Sequence, residues 1–301
     1  MARAMAAPSA EHRLTPAELV AELVRLLDLR ELGEDRFEGP RKQGGIGRVF
    51  GGQVVAQALA AAQRTVGEDR AAHSLHAYFL RGGSEDHPID LQVRRDFDGG
   101  SFSNRRVIAS QQGRPILTLT AGFQRPQPGL HHQAPPMPDV PAPEDIELDE
   151  ALRLRLAEHL TGRARDFALL QWPIETRSVG GPQWALAGPR EPSACVWFRA
   201  AAPLPDDPRL HRAVLAYASD MQLLGSATQP HGKSFWRGQL KLASLDHALW
   251  FHEAFRADEW LLYATDSPWS GGSRGFARGQ IFDRSGKLVA SVSQEGMLRE
   301  A

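Results

Sequence analysis

The chain has 301 residues, of which 42% are hydrophobic and 24% are charged, the composition of an ordinary soluble globular protein. Its 35 basic and 36 acidic side chains nearly cancel, so no overall field favours nucleic acid, and no apolar run is long enough to span a membrane. Cys195 is the only cysteine, which excludes an internal disulfide and a cysteine-based zinc site. We therefore expect no nucleic-acid or membrane partner.

The N-terminal region is predicted to be a disordered tail over residues 1–15, followed by an amphipathic helix. "MARAMAAPSAEHR" lacks the apolar core of a secretion signal, and the C-terminal "REA" is not a peroxisomal signal, so we expect a cytoplasmic protein. Thr15 and Glu18 have the spacing of a capping box, and Pro16 occupies the first helical position. Leucines at helical spacing follow, which predicts a helix with one apolar face.

Residues 16–125 are predicted to form one folding unit. A helix over residues 51–66 opens on a pair of glycines. Four strand-like runs follow it, separated by glycine-containing turns: "HSLHAYFL", "IDLQVRR", "FSNRRVIASQQ" and "RPILTLTAGF". A long helix followed by an antiparallel meander is an α+β unit in which a sheet packs on a helix.

The second half repeats this order after a change of composition. Residues 126–143 contain seven prolines, so residues 126–148 are predicted to be an extended linker. Residues 149–301 then form the second unit, with a short amphipathic helix, a long helix over residues 207–227 and four strand-like runs: "LKLASLDHALWFH", "EWLLYATDS", "GFARGQIFD" and "KLVASVSQEGML". The repeated order indicates an internal duplication.

Residue matches between the halves support the duplication. His76 and His247 are 171 residues apart, and the stretch "GGS" recurs 172 residues later, from Gly99 to Gly271. The second copy, "GGSRG", also fits the G-x-S-x-G pattern of serine hydrolases. A strand-like run follows it where that pattern requires a helix, and no histidine follows Ser273 in the chain. We therefore interpret "GGSRG" as a hairpin turn and not as a nucleophile.

Three polar residues lie within segments that are otherwise built to pack. Asp220 is a single carboxylate in the apolar run "LHRAVLAYASDMQLLGSA", where burial is costly unless the group is paired or functional. Ser244 and Gln294 lie in strand-like runs, where each alone is more often structural. His247 and His252 lack a third ligand nearby, so no metal site is expected.

Several blocks in the same order resemble the type II (TesB-like) acyl-CoA thioesterases. They include "RVFGGQVVAQAL", "HSLHAYFLRGG", "DGGSFSNRRV", "YASDMQLL", "LDHALWFH" and "EWLLYATDSPWSGGSRGFARG", and the resemblance runs from about Leu19 to Arg299. It implies a double hotdog, in which two tandem units each wrap an antiparallel sheet around a long helix. It also implies an enzyme that hydrolyses acyl-CoA without a cofactor and assembles as a homo-oligomer.

The same resemblance implies the catalytic residues. By motif, the family's Asp is Asp220 in "YASD", its Gln is Gln294 in "SQEG", and its hydroxyl residue before "LDH" is Ser244, where Thr is commoner. Asp220 would act as a general base on a water that Ser244 and Gln294 hold against the thioester carbonyl. Backbone amides near Gly52 and Gln53, at a helix N-terminus, would bind the oxyanion, although close helix–sheet packing explains the glycines equally well.

Three arginines beside glycine-rich turns are candidates for binding the phosphates of coenzyme A: Arg105, Arg106 and Arg278. Each taken alone is also compatible with a solvated strand arginine. Two other functions remain open from the sequence. One is an enoyl-CoA hydratase of the same fold, which would pair a histidine with a carboxylate, and the other is a non-catalytic acyl-CoA-binding protein.

Overall fold

The computed structural model describes residues 13–42, 47–182, 188–235 and 237–301. Residues 1–12 of the predicted tail lie outside this part. Within it, 13 strands form one antiparallel sheet. The first half comprises helix α1 (Pro16–Leu27), strands β1 (Arg30–Gly33) and β2 (Arg36–Gly39), helix α2 (Gly51–Gln63), and strands β3 (Ala71–Phe79), β4 (Ile89–Asp98), β5 (Phe102–Gln111) and β6 (Arg114–Gln124).

The second half begins with a short 3₁₀ helix and two small helices. In chain order its elements are the 3₁₀ helix Pro143–Asp145, helices α3 (Asp149–Ala157) and α4 (Gly162–Leu169), strands β7 (Ile174–Ser178) and β8 (Ser193–Ala200), helix α5 (Pro208–Ser219), the 3₁₀ helix Leu223–His231, and strands β9 (Leu240–Ser244), β10 (Asp246–Phe251), β11 (Leu261–Gly271), β12 (Arg274–Asp283) and β13 (Leu288–Glu300).

The strands of the two halves follow one another in corresponding order outward from the centre of the sheet. β3 and β10 pair there antiparallel, with His76 opposite Ala248. The sheet then runs β3-β6-β5-β4-β2-β1 on one side and β10-β13-β12-β11-β8-β7 on the other, and β9 also pairs with β13. This arrangement, with α2 and α5 at corresponding positions, confirms the predicted α+β double hotdog.

The two central helices, α2 and α5, pack against each other and differ in how they begin. α2 is rich in alanine and is buried all round from its second residue onward, so that helix α5 and the sheet approach it closely. The Nε2 of its buried Gln57 donates to the carbonyls of Leu26 and Pro40, at 2.8 and 3.0 Å, whereas the Oε1 has no hydrogen-bond partner among the described residues. α5 begins at an ordinary cap, where the Asp207 side chain accepts a hydrogen bond from the Arg209 amide at 2.8 Å.

Helix α5 ends earlier than the sequence pattern predicts. The apolar periodicity suggests a helix to residue 227, but α5 ends at Ser219, Asp220 is its C-cap, and a tighter 3₁₀ helix follows from Leu223. In that segment the hydroxyls of Ser226 and Thr228 each donate to a carbonyl three residues earlier, at 2.8 Å. Such local bonds compete with the α-helical pattern.

The predicted single strand "LKLASLDHALWFH" is broken by a β-bulge at Leu245. Both β9 and β10 pair with β13, but the five residues from Ser244 to Ala248 lie opposite only four on the partner strand, Gly296 to Ser293. In an unbroken strand, residues three apart point to opposite faces. The extra residue therefore allows Ser244 and His247 to share the inner face of the sheet.

The "GGSRG" stretch is a two-residue hairpin turn between β11 and β12. Gly272 and Ser273 both have positive φ angles, 54° and 63°, and Gly271 pairs with Arg274. Two consecutive residues with positive φ form the type I′ turn that suits the twist of a hairpin. The structure confirms the interpretation of this stretch as a turn.

The proline-rich segment packs along the second unit. Gln133 bonds to the backbone of Gly286 and Leu288, and the Trp197 indole donates to the Pro141 carbonyl at 2.9 Å. A small apolar cluster lies beneath this segment, where Met137, Val140 and Ile146 pack on Trp197, Trp260, Leu262 and Phe282. The segment therefore contributes packing as well as a connection.

Candidate active site

Asp220 lies where the end of α5 meets the start of α2. Its side chain is only 5% exposed. Gln294 Nε2 donates to Oδ1 of Asp220 at 2.7 Å, and the Ser244 hydroxyl lies 3.5 Å from the same oxygen. The structure thus brings together the three residues that the sequence resemblance nominated, from three separate elements.

The backbone amide of Gly52 also donates to the Asp220 carboxylate. Helix α2 needs such a partner, because its N-cap residue Phe50 makes no side-chain capping bond and its first turn contains no acidic residue. The carboxylate of Asp220, in the second unit, therefore supplies a negative charge that stabilises the N-terminus of α2, in the first unit.

The expected oxyanion role of Gly52 and Gln53 is not supported by this geometry. The Gly52 amide is occupied by the carboxylate, and the Gln53 amide donates to the Phe50 carbonyl at 3.1 Å. Both donors are used within the protein. The glycine pair instead permits the close approach of α2 to Asp220, which is a packing role.

Burial raises the pKa of Asp220 to about 6, and the hydrogen bonds from Gln294, Gly52 and Ser244 oppose that rise. The raised value makes the group a base that is ionised at neutral pH and still takes up a proton readily. Gln294 adds a second feature: its Oε1 is buried without a hydrogen-bond partner among the described residues. An unpaired buried acceptor beside a base is suited to holding a polar reactant.

Replacing Gly51 by alanine should displace the carboxylate. A Cβ at this position would lie 2.6 Å from Oδ2 of Asp220 and 3.0 Å from Cε1 of Phe79, so the helix start or the aspartate must shift. We expect G51A to lose about 1–3 kcal/mol of unfolding free energy and to lower kcat at least tenfold. Urea unfolding and steady-state kinetics measure the two effects.

The control for that variant is Gly100→Ala, since a Cβ at Gly100 would meet nothing within 4 Å. G100A should match the wild type in both measurements. Wild-type kcat in G51A would show that the close contact between α2 and Asp220 has no part in the chemistry.

His247 is a neighbour of Asp220 that the sequence analysis did not place in the site. Its side chain is fully buried, and its Nδ1 lies 3.9 Å from Oδ1 of Asp220. Burial lowers the pKa of His247 to about 4, so the imidazole is neutral at pH 7. The sequence signal was a histidine in a strand-like run, three residues after Ser244, but an uninterrupted strand would have put the two on opposite faces.

The three candidate arginines lie away from this cluster. Arg105 is 2% exposed, and all five of its N–H donors are used by Thr65, Phe97, Asp98 and Asn104. It is a structural residue, and the prediction that it is a phosphate ligand is wrong, because no N–H of its guanidinium remains for a phosphate. Its neighbour Arg106 is exposed and pairs with Asp96.

Arg278 also lies outside the cluster. It is exposed, pairs with Asp266 at 2.6 Å, and directly follows Ala277, the residue opposite Gln294 in the sheet. Alternation along a strand therefore places Arg278 on the face of the sheet opposite to Gln294. Arg278 and Arg106 are consequently not part of the Asp220 site.

The described residues contain neither a metal-binding cluster nor a membrane-spanning helix. No group of three or more His, Cys, Asp or Glu side chains there is arranged to hold a metal ion. None of the helices in that part of the chain combines the length and the apolar character that crossing a membrane requires.

The fold and the site together define a double hotdog protein with a buried, hydrogen-bonded carboxylate where its two central helices meet. Two family models match the chain: "Acyl-CoA thioesterase N-terminal domain" over residues 40–124 and "Acyl-CoA thioesterase" over residues 165–297. The chain belongs to the type II acyl-CoA thioesterase family.

Individual relatives are similar to this chain over nearly its whole length. The chain is 40% identical to acyl-coenzyme A thioesterase 8 of Homo sapiens, over 94% of this chain and 91% of that protein. It is 37% identical to acyl-CoA thioesterase 2 of Haemophilus influenzae, over 94% and 99%. The crystal structure of acyl-CoA thioesterase II TesB2 from Mycobacterium marinum matches with a TM-score of 0.75 and 42% identity, over 93% and 98%.

Proposed function

We propose that this protein hydrolyses acyl-CoA thioesters to a free fatty acid and coenzyme A, with Asp220 as the general base. One observation carries the mechanism: a buried carboxylate with a pKa of about 6 lies 2.7 Å from Gln294, whose other amide atom is an unpaired buried acceptor. The names of the relatives support the substrate class. Action in the cytoplasm and as a homo-oligomer stays a prediction from the sequence.

The reaction needs one water held between three side chains. One O–H of the water points to Asp220 and the other to Oε1 of Gln294, while Nε2 of Gln294 holds the carboxylate. The Ser244 hydroxyl makes only a long, weak hydrogen bond to Asp220, at 3.5 Å, and can turn to the same water. Fixing the water in this way removes part of the entropic cost of attack.

The steps then balance without a covalent enzyme intermediate. The water oxygen attacks the thioester carbonyl carbon as Asp220 takes its proton, which is the step in which general-base help is worth roughly 10²–10⁴-fold. The tetrahedral intermediate collapses with cleavage of the C–S bond. Coenzyme A leaves as a thiolate and takes the proton from Asp220, which returns the base to its starting state.

The test is release of coenzyme A, followed with a thiol-trapping reagent over short, medium and long acyl chains. Hydrolysis releases one thiol for each substrate consumed. An enoyl-CoA hydratase would consume an enoyl-CoA without releasing thiol, and a binding protein would shift a binding signal with no turnover. Absence of thiol release from every acyl-CoA would overturn the proposal.

A further inference from the structure

His247 is held against the catalytic cluster by one hydrogen bond. Its Nε2 lies 2.9 Å from the hydroxyl oxygen of Ser219, the last residue of helix α5. The hydroxyl of Ser219 donates to the Ala216 carbonyl at 3.1 Å. A serine has one hydroxyl proton, so when that proton goes to the Ala216 carbonyl the Ser219 oxygen acts as an acceptor towards His247.

This pairing bears on which ring nitrogen of His247 carries the proton. With Ser219 as the acceptor, Nε2 of His247 donates, and the neutral ring has its lone pair on Nδ1. Nδ1 is buried without a hydrogen-bond partner among the described residues, and it faces Oδ1 of Asp220 at 3.9 Å. Leaving such an atom unpaired costs about 1–3 kcal/mol, so the arrangement calls for a functional explanation.

We propose that Ser219 and His247 together keep Asp220 basic: Ser219 fixes the His247 proton on Nε2, and the Nδ1 lone pair that results faces the carboxylate and disfavours its charged form. His247 is then a positioning residue that acts through Asp220, and the proposal rests on the thioesterase function proposed above. Two acceptors face each other in the resting enzyme, and uptake of the proton from water relieves their repulsion.

Other groups around Asp220 do not supply the same effect. Tyr263 donates its hydroxyl to the Ser219 carbonyl at 3.0 Å, and its pKa is raised far above 10 by burial, so it stays neutral. Tyr217, on the turn of α5 beneath, is likewise neutral because burial raises its pKa. Gln294, Gly52 and Ser244 all donate to the carboxylate and thus favour its charged form. Among these groups His247 alone opposes ionisation through a directed lone pair.

Two variants separate this role from a structural one. His247→Gln keeps a donor near Ser219 and removes the Nδ1 lone pair. Ser219→Ala removes the acceptor that fixes the tautomer, so that Nδ1 becomes free to carry the proton and donate to Asp220. Ser226→Ala is the matched control, because Ser226 is equally buried and donates to a carbonyl three residues earlier without touching His247 or Asp220.

The first readout is the acid limb of kcat/KM against pH, measured with one acyl-CoA for all variants so that titration of the substrate cancels. In the wild type this limb is expected near pH 6, where Asp220 takes up its proton. We expect H247Q and S219A to move it to lower pH by roughly one unit and to lower the plateau severalfold, whereas S226A leaves it in place. Loss of activity with an unmoved limb in both variants would overturn the proposal.

The second readout does not depend on turnover. In protein labelled with ¹⁵N-histidine, the nitrogen shifts of His247, assigned by difference from H247Q, report which ring nitrogen carries the proton. We expect the Nε2–H tautomer in the wild type and its loss in S219A. A wild-type ring protonated on Nδ1 would refute the proposal even if the protein hydrolyses acyl-CoA, and absence of thiol release would refute the function while leaving this measurement interpretable.

Discussion

Asp220→Asn is expected to lower kcat for coenzyme A release by roughly 10²–10⁴-fold while the protein still folds. Asparagine has nearly the same volume, and its carbonyl accepts the hydrogen bond from Gln294, but it takes no proton from water. The loss should appear in kcat at saturating substrate, because the removed interaction acts in the transition state and not in binding.

The matched control is Asp149→Asn. Asp149 is also a buried carboxylate of the second unit, but it bonds to Thr176 and Ser178 instead of facing the cluster. D149N should keep wild-type kcat in the folded fraction. If D220N releases coenzyme A at near wild-type rate, Asp220 is not the base and the mechanism fails.

D220N should also change how the free energy of unfolding depends on pH. The pKa of Asp220 rises from 3.8 to about 6 on folding, so the native protein binds this proton more tightly than the unfolded chain. The contribution of this proton to the free energy of unfolding is therefore fully present below pH 4 and is lost as the pH rises through 6. D220N lacks this titration. Its unfolding free energy relative to wild type should improve by about 2 kcal/mol between pH 4 and pH 7.5, measured by urea unfolding.

Features that depend on local chemistry or on repetition were predictable from the sequence. The capping box of Thr15 and Glu18 is present in the structure, with the Thr15 amide donating to the Glu18 carboxylate at 2.7 Å. The duplicated order of helix and meander indicates two α+β units, because each copy must bury the same apolar faces, and the resemblance to the thioesterases implies the double hotdog. Asp220 stood out because a carboxylate among alanines and leucines needs a partner.

Features that depend on contacts between the halves were not predictable. The partner of Asp220 is the N-terminus of α2, which no side chain of its own caps and which lies more than 160 residues away along the chain. The bulge at Leu245 adds no unusual residue to the sequence, yet it turns Ser244 and His247 to the same face. Arg105 and Arg106 are adjacent arginines beside the same turn, and only the packing of Thr65 against the sheet decides which one is buried.

Arg105→Ala should cost about 3 kcal/mol or more of unfolding free energy, measured by urea unfolding. The change removes five hydrogen bonds at once and leaves the carbonyls of Thr65, Phe97 and Asn104 without that donor. Asp98, the charged partner, is half exposed and can be rehydrated, so most of the loss comes from the buried carbonyls and the emptied volume.

Arg106→Ala is the natural control, because it lies next in the same strand and makes an exposed ion pair with Asp96. Exposed pairs of this kind are worth about 0–1 kcal/mol, so R106A should be close to wild type in stability. A phosphate-binding role for Arg105 would give the opposite pattern: an unchanged unfolding free energy and a higher KM for acyl-CoA. The structural role therefore predicts that R105A loses stability while the folded enzyme keeps its KM, because its guanidinium has no N–H left for a phosphate.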